Sequence, residues 1–232
     1  MSVICQVLNV TKDYHVGKTI VPALRGIDLQ VDQGEFMAIA GPSGSGKTTL
    51  LNLVGSLDRP SQGTIEVAGT ELTTLSDKQL ADFRNYHLGF VFQTFNLIPV
   101  LSAFENVEFP LLLQKTAPAQ RKEKVEKLLL QVGLQDLMKR LPAELSGGQQ
   151  QRVAVARALI KNPKIILADE PTANLDSGTS EEILQLMRQM NQQLKTTFIF
   201  STHDPLVMRY AHRLVEIRDG LIKHDRVKEN AV

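Results

Sequence analysis

At 232 residues the chain is long enough to bury a substantial core, as one large domain or as a core with an inserted lobe. Its 26 Lys plus Arg against 25 Asp plus Glu leave no basic surplus of the kind that drives non-specific nucleic-acid binding. The one cysteine, Cys5, excludes an internal disulfide and a cysteine-built metal site, and no apolar run approaches the roughly 18 residues that a membrane-spanning helix needs.

Met1 to Val10 has no basic region followed by a long apolar run, so no secretory signal is read there. Val3 to Val10 and Gly26 to Val31 alternate apolar and polar positions and predict antiparallel strands, closed by the turn Asp32-Gln33-Gly34. Between them Thr11-Lys12-Asp13-Tyr14 reads as a polar turn; the Tyr14 ring either packs or stacks on a purine. Phe36 to Ala40 is too short for a helix and suits a buried strand, whereas Thr49, Leu50, Leu51, Leu53 and Val54 suit a helix. Thr64 to Ala68 reads as another short strand after the turn cluster Asp58 to Gly63.

Leu88 to Phe92 is a further strand, ending at Gln93. From about residue 94 to 162 a helical insertion is expected: one helix over Ala103 to Leu113, a second carrying Val125, Leu128, Leu129 and Val132, and a third with Ser146 as its N-cap. The charges between Arg121 and Lys127 read as the solvated face of the second helix. Lys164 to Ala168 is an apolar strand ending in Asp169-Glu170, followed by a helix over about Gly178 to Leu194 and a strand over Thr197 to Ser201 before Thr202-His203-Asp204. Arg213 to Arg218 and Leu221 to Lys223, joined by Asp219-Gly220, predict a closing hairpin. Strands alternating with helices imply an α/β fold on a parallel sheet, whose ligands sit at the carboxyl ends of the strands.

The segment placed at such an end is Gly41-Pro42-Ser43-Gly44-Ser45-Gly46-Lys47-Thr48. Glycines let backbone N–H groups converge on an anion, and a helix starting there directs its positive end at it. Lys47 then reaches the β- and γ-phosphates of a nucleotide, and Thr48 offers a hydroxyl to Mg²⁺. Asp169, at the end of an apolar strand, supplies the second metal-binding group, and Glu170 is placed to orient an attacking water. Ser146-Gly147-Gly148 opens a second helix and so offers a second anion cradle, which one nucleotide in one subunit does not need.

The glycine-rich loop, Gln93, Leu145-Ser146-Gly147-Gly148-Gln149, Lys164 to Glu170, Ala173-Asn174-Leu175-Asp176 and His203 together resemble the nucleotide-binding domain of an ABC transporter. That resemblance implies a P-loop NTPase (RecA-like) parallel-sheet core with an N-terminal antiparallel β subdomain and an inserted helical subdomain. The chain would be a single nucleotide-binding domain, with about 1–93 and 163–232 as the core and about 94–162 as the helical part. It implies an ATPase that forms a head-to-tail homodimer on binding ATP. Each ATP would be held between Gly41 to Thr49 of one copy and Ser146 to Gln149 of the other, with Mg²⁺ on Thr48, Gln93 and Asp169.

Under the same resemblance Glu170, His203 and Lys47 are catalytic, Gln93 senses the γ-phosphate, Asp176 organises the water and the facing copy, and Tyr14 stacks on adenine. Leu50 to Pro60, Gly89 to Pro99 and Asp169 to Asp176 narrow the resemblance to the lipoprotein-release and macrolide-export group. Exporters of the MacB type carry their membrane domain on the same chain, so a chain ending at Val232 is expected to be a separate subunit of the LolD pattern. It would serve an integral membrane permease from the cytoplasmic face, with Phe95, Leu97, Ile98 and Phe104 near the partner's coupling helix. An FtsE-like ATPase that signals across the envelope without transport, and a soluble ABC ATPase acting on nucleic acid or ribosomes, are the alternatives.

Overall fold

The computed structural model describes residues 2–228. A long hairpin, β1 (Val3–Val16) and β2 (Thr19–Asp32), comes first and is followed by β3 (Phe36–Ala40), α1 (Lys47–Val54), β4 (Gln62–Val67), β5 (Thr70–Glu71), α2 (Asp77–His87) and β6 (Leu88–Phe92). Three helices follow, α3 (Ala103–Leu113), α4 (Pro118–Gln131) and α5 (Gly147–Leu159). The chain then runs through β7 (Ile165–Asp169), α6 (Ser177–Leu194), β8 (Thr197–Thr202), α7 (Pro205–Tyr210), β9 (Arg213–Arg218) and β10 (Leu221–Val227).

Two sheets result: an antiparallel one in the order β2-β1-β4-β5, and a six-stranded one in the order β10-β9-β3-β8-β7-β6. In the second sheet every neighbour pair is parallel except β9 with β10. β3 and residues Ile165 to Ala168 of β7 read as unbroken apolar runs because both faces are covered. All five residues of β3 and all six of β8 are buried. Side chains alternate between two cores: Phe36, Ala38, Ile166, Ala168, Phe198 and Phe200 join the cluster under α3, α5 and α6, whereas Met37, Ile39, Ile165, Leu167 and Ile199 face α1 and the antiparallel sheet.

Residues 94–162 contain α3, α4 and α5, and Val107, Leu111, Val125, Leu129 and Val153 share one buried cluster with the central strands. Three helix starts carry reciprocal capping boxes, Ser76 with Gln79, Ser102 with Glu105 and Ser146 with Gln149. The structure corrects the sequence reading at Tyr14. Thr11 to Tyr14 are not a turn; they continue β1, with Tyr14 opposite Val21, and the reversal comes at Gly17, whose φ of +62° a side chain disfavours. The helices α2 and α7 were not expected.

Candidate functional site

Parallel register brings the chemistry to one edge. Ala40 lies beside Thr202, Asp169 beside Ser201, and Phe92 beside Asp169. The residues that follow these strand ends, namely the Gly41 loop, Gln93, Glu170 and His203, therefore meet at the carboxyl side of the sheet. They surround a cavity of about 490 Å³ lined by Ala23, Pro42 to Thr49, Gln93, Asp169, Glu170 and His203. Ala23, on β2, was absent from the sequence reading; a residue that contributes by its place on a strand edge leaves no motif. A larger cavity of about 740 Å³ lies behind Gly41 and Pro42, bordered by Met208, Leu214 and Ile217, but Lys47, Thr48 and Asp169 are in the smaller one.

The loop has the conformation its glycines predict. Gly46, at φ +107°, caps α1 without any side-chain hydrogen bond, so the first-turn amides of the helix keep their donors for a ligand. A Cβ on Gly46 would sit 2.7 Å from the Ala23 carbonyl oxygen, and one on Gly41 would sit 2.1 Å from that of Ile217. Lys47 is buried, and its Nζ donates to the carbonyls of Gly41 at 2.8 Å and Pro42 at 3.0 Å, which holds the ammonium across the loop. Ser45 is also buried, with its Oγ unpartnered in the protein.

Thr48 Oγ1 donates to Asp169 Oδ1 at 3.1 Å. Glu170 occupies a left-handed backbone position at φ +45°, fixed by its N–H donating to Ser201 O at 2.9 Å. Its Oε1 meets His203 Nδ1 at 2.6 Å and accepts from the His203 backbone N–H at 3.2 Å, while Oε2 accepts from Thr202 Oγ1 at 3.0 Å. Gln93 is tied to the segment after Glu170, because Asn174 Nδ2 donates to its carbonyl at 3.0 Å. Just beyond it, Phe95 and Asn96 are both left-handed, at φ +59° and +48°, and the Arg157 guanidinium of α5 donates to their carbonyls at 2.7 and 2.5 Å. Leu97 and Phe104 are half-buried and pack against the core, so part of the expected docking cluster fills the fold.

Four of the sequence-selected groups do not line this cavity. Tyr14 donates its hydroxyl to Asp58 at 2.9 Å and has Lys12 Nζ 4.9 Å from its ring centroid; burial and then the Asp58 contact push the phenol up from its ordinary range. Gly41 stands behind Pro42, where its carbonyl accepts from Lys47 Nζ at 2.8 Å. Ser146 to Gln149 cap α5 elsewhere: Gly147 faces Leu175 and Phe95, and Gly148 abuts Thr179. Asp176 caps α6, accepting from Thr179 N–H at 3.0 Å and Thr179 Oγ1 at 2.6 Å, which holds its carboxyl below the usual range. Near Thr179 and Asn174 the Ser146 and Asp176 segments approach each other, outside the lining of the cavity that holds the glycine-rich loop.

The sequence model of the ABC transporter family matches residues 24–173. YknY of Bacillus subtilis, an uncharacterized ABC transporter ATP-binding protein, is 48% identical over 94% of this chain and 94% of its own length. The lipoprotein-releasing system ATP-binding protein LolD of Anaeromyxobacter dehalogenans is 47% identical, covering 94% of this chain and 91% of LolD. The macrolide export ATP-binding/permease protein MacB of Rhodopirellula baltica is 47% identical over 95% of this chain, which spans only 32% of MacB. Among solved structures, the dimeric post-hydrolysis state of the ATP-binding cassette MJ0796 bound to ADP and Pi has a TM-score of 0.90 and 42% identity, covering 98% of this chain and 100% of that one. The chain belongs to the ABC transporter family, as an ATP-binding subunit similar to LolD and to the ATP-binding part of MacB.

Proposed function

We propose that this chain hydrolyses ATP in a head-to-tail homodimer and transmits the opening and closing of that dimer to an integral membrane permease. The observation that carries the reading is that Ser146 to Gln149 do not line the cavity holding the glycine-rich loop; on this reading a second copy completes each site. The dimeric arrangement of MJ0796 with ADP and Pi supports it, and among the described residues no helix is long and apolar enough to cross a membrane. The similarity to LolD suggests lipoprotein release or export from the cytoplasmic face of the membrane. Residues 94–162 are read as the helical part that meets the permease, with Gln93 at its hinge.

The residues present fit Mg²⁺: a hydroxyl and a carboxylate meet at 3.1 Å beside a cradle whose glycines a Cβ would obstruct. Mg²⁺ keeps several waters and takes one or two protein groups plus substrate phosphates, so Thr48 and Asp169, with the Gln93 side chain nearby, suffice without a larger acidic cluster. Bound there, the ion would supply positive charge to offset that on the β- and γ-phosphates. The amides of Gly44 to Thr48 and the Lys47 ammonium hold the triphosphate. His203 contacts the γ-phosphate, and Glu170 orients the water. The water oxygen bonds to the γ-phosphorus, the bond to the β–γ bridging oxygen breaks, and ADP and inorganic phosphate leave. Tyr14 supplies the adenine contact through the ring face that Lys12 does not cover.

Glu170→Gln keeps the shape but removes the carboxylate. With ATP and Mg²⁺ present, light scattering should show this variant as a persistent dimer while turnover falls by about 10²- to 10⁴-fold. A variant that stays monomeric, or turns over like the parent, contradicts the proposal.

A further inference from the structure

The Glu170 carboxylate is held unequally by its two neighbours. The His203 side chain is 71% exposed and reaches Oε1 from the solvent side of the cavity, whereas Thr202, which reaches Oε2, is fully buried at the end of β8. The Thr202 hydroxyl is itself fixed, since it accepts the Asp204 backbone N–H at 3.0 Å, and that contact directs its hydrogen to Glu170 Oε2. Asp204 is braced on both sides. Its Oδ2 accepts from the hydroxyl of buried Thr172 at 3.1 Å, and its Oδ1 accepts from Leu206 N–H at 2.8 Å. The brace thus joins the segment after Glu170 to the segment after His203.

We infer that Thr202 is a positioning residue: it pins Glu170 Oε2 throughout the cycle, so that when the exposed His203 ring turns to the nucleotide, Oε1 alone is released to accept the attacking water's hydrogen bond. This rests on the proposed role of Glu170. A carboxylate free to rotate would offer the water either oxygen at variable direction, and loss of alignment of this order costs roughly 10- to 100-fold in rate. Thr202 itself does not line the nucleotide cavity, so replacing it should spare nucleotide binding.

The test compares Thr202→Val, which keeps the shape without the hydroxyl, with Thr202→Ser, which keeps the hydroxyl, and uses Glu170→Gln as the reference. With ATP and Mg²⁺, the Val variant should lose about 10- to 100-fold in kcat with KM within about two-fold, and light scattering should show it accumulating as a dimer, as Glu170→Gln does. The Ser variant should regain most of kcat. If the Val variant does not fold, Thr202→Cys, whose thiol is a weak donor, should fall well below Ser in kcat at equal KM. Val or Cys turning over like Ser, or Val and Ser losing equally, overturns the inference, as does a rise in KM with kcat unchanged. If Glu170→Gln itself turns over like the parent, the reading of the whole site fails; if it traps the dimer while Thr202→Val is fully active, only the role of Thr202 fails.

Discussion

Replacing Arg157 with Met isolates what holds the turn after Gln93. In the parent, two guanidinium hydrogen bonds restrain consecutive left-handed residues, Phe95 and Asn96, and among the described residues Arg157 has no ion-pair partner. Bonds from a charged donor are each worth about 1.5–3 kcal/mol, but the two are not equal here. Asn96 is exposed, so its carbonyl finds water when the bond is lost, whereas Phe95 is half-buried. Burial disfavours the charged guanidinium and lowers its pKa from the ordinary value, and Met removes that cost. The net loss is about 2 kcal/mol, which for a chain of this size lowers Tm by about 4–8 °C. Differential scanning calorimetry without nucleotide reads this directly. A Met variant melting within about 1 °C of the parent would refute the reasoning, because the two bonds would then contribute nothing net.

Gly46→Ala places a Cβ 2.7 Å from the Ala23 carbonyl at a backbone φ of +107°; affinity for a fluorescent ATP analogue should fall by at least about ten-fold, equivalent to about 1.4 kcal/mol, and parent-like affinity would count against the cradle. Lys161 gives a pH signature. Burial, and then Arg84, depress its pKa from 10.5 to about 8. Because the folded pKa lies below the unfolded one, folding is penalised fully below about pH 8 and the penalty is lost as pH rises toward 10.5. Denaturant melts from pH 7.5 to 9.5 should therefore show a smaller stability gain in Lys161→Met than in the parent, and identical slopes would dismiss the assignment. Gly148→Ala pushes a methyl to 2.4 Å from Thr179 Cγ2; it should displace the Asp176 cap and depress ATPase activity while leaving analogue binding to isolated subunits intact.

The phosphate loop, the Asp169-Glu170 strand end and the Ser146 cap were legible because each concentrates its chemistry within a few consecutive residues. The sheet was legible because buried parallel strands such as Phe36 to Ala40 must be apolar throughout. Other features were not. The α2 helix buries only Leu80 and Phe83, too few to impose a helical period on a polar segment. Thr11 to Tyr14 resembled a turn because β1 runs on past its last pairing with β4, at Thr11, and carries several register shifts, so polar residues are tolerated there. The Thr172–Asp204–Thr202 brace joins residues up to 32 apart through single hydroxyls, and sequence spacing carries no trace of such contacts. Gln151 is another such case, a fully buried amide on α5 donating to Pro171 O at 2.5 Å.

That the helix start at Ser146 lies outside its own chain's cavity has a kinetic corollary. An isolated copy owns two halves that cannot be joined, so under the proposed mechanism free subunits are idle and their summed rate climbs with the square of their concentration when dilute. A permease that seats two copies side by side substitutes a fixed local concentration for that encounter. Idle copies away from the membrane would then waste little fuel, with no inhibitor required.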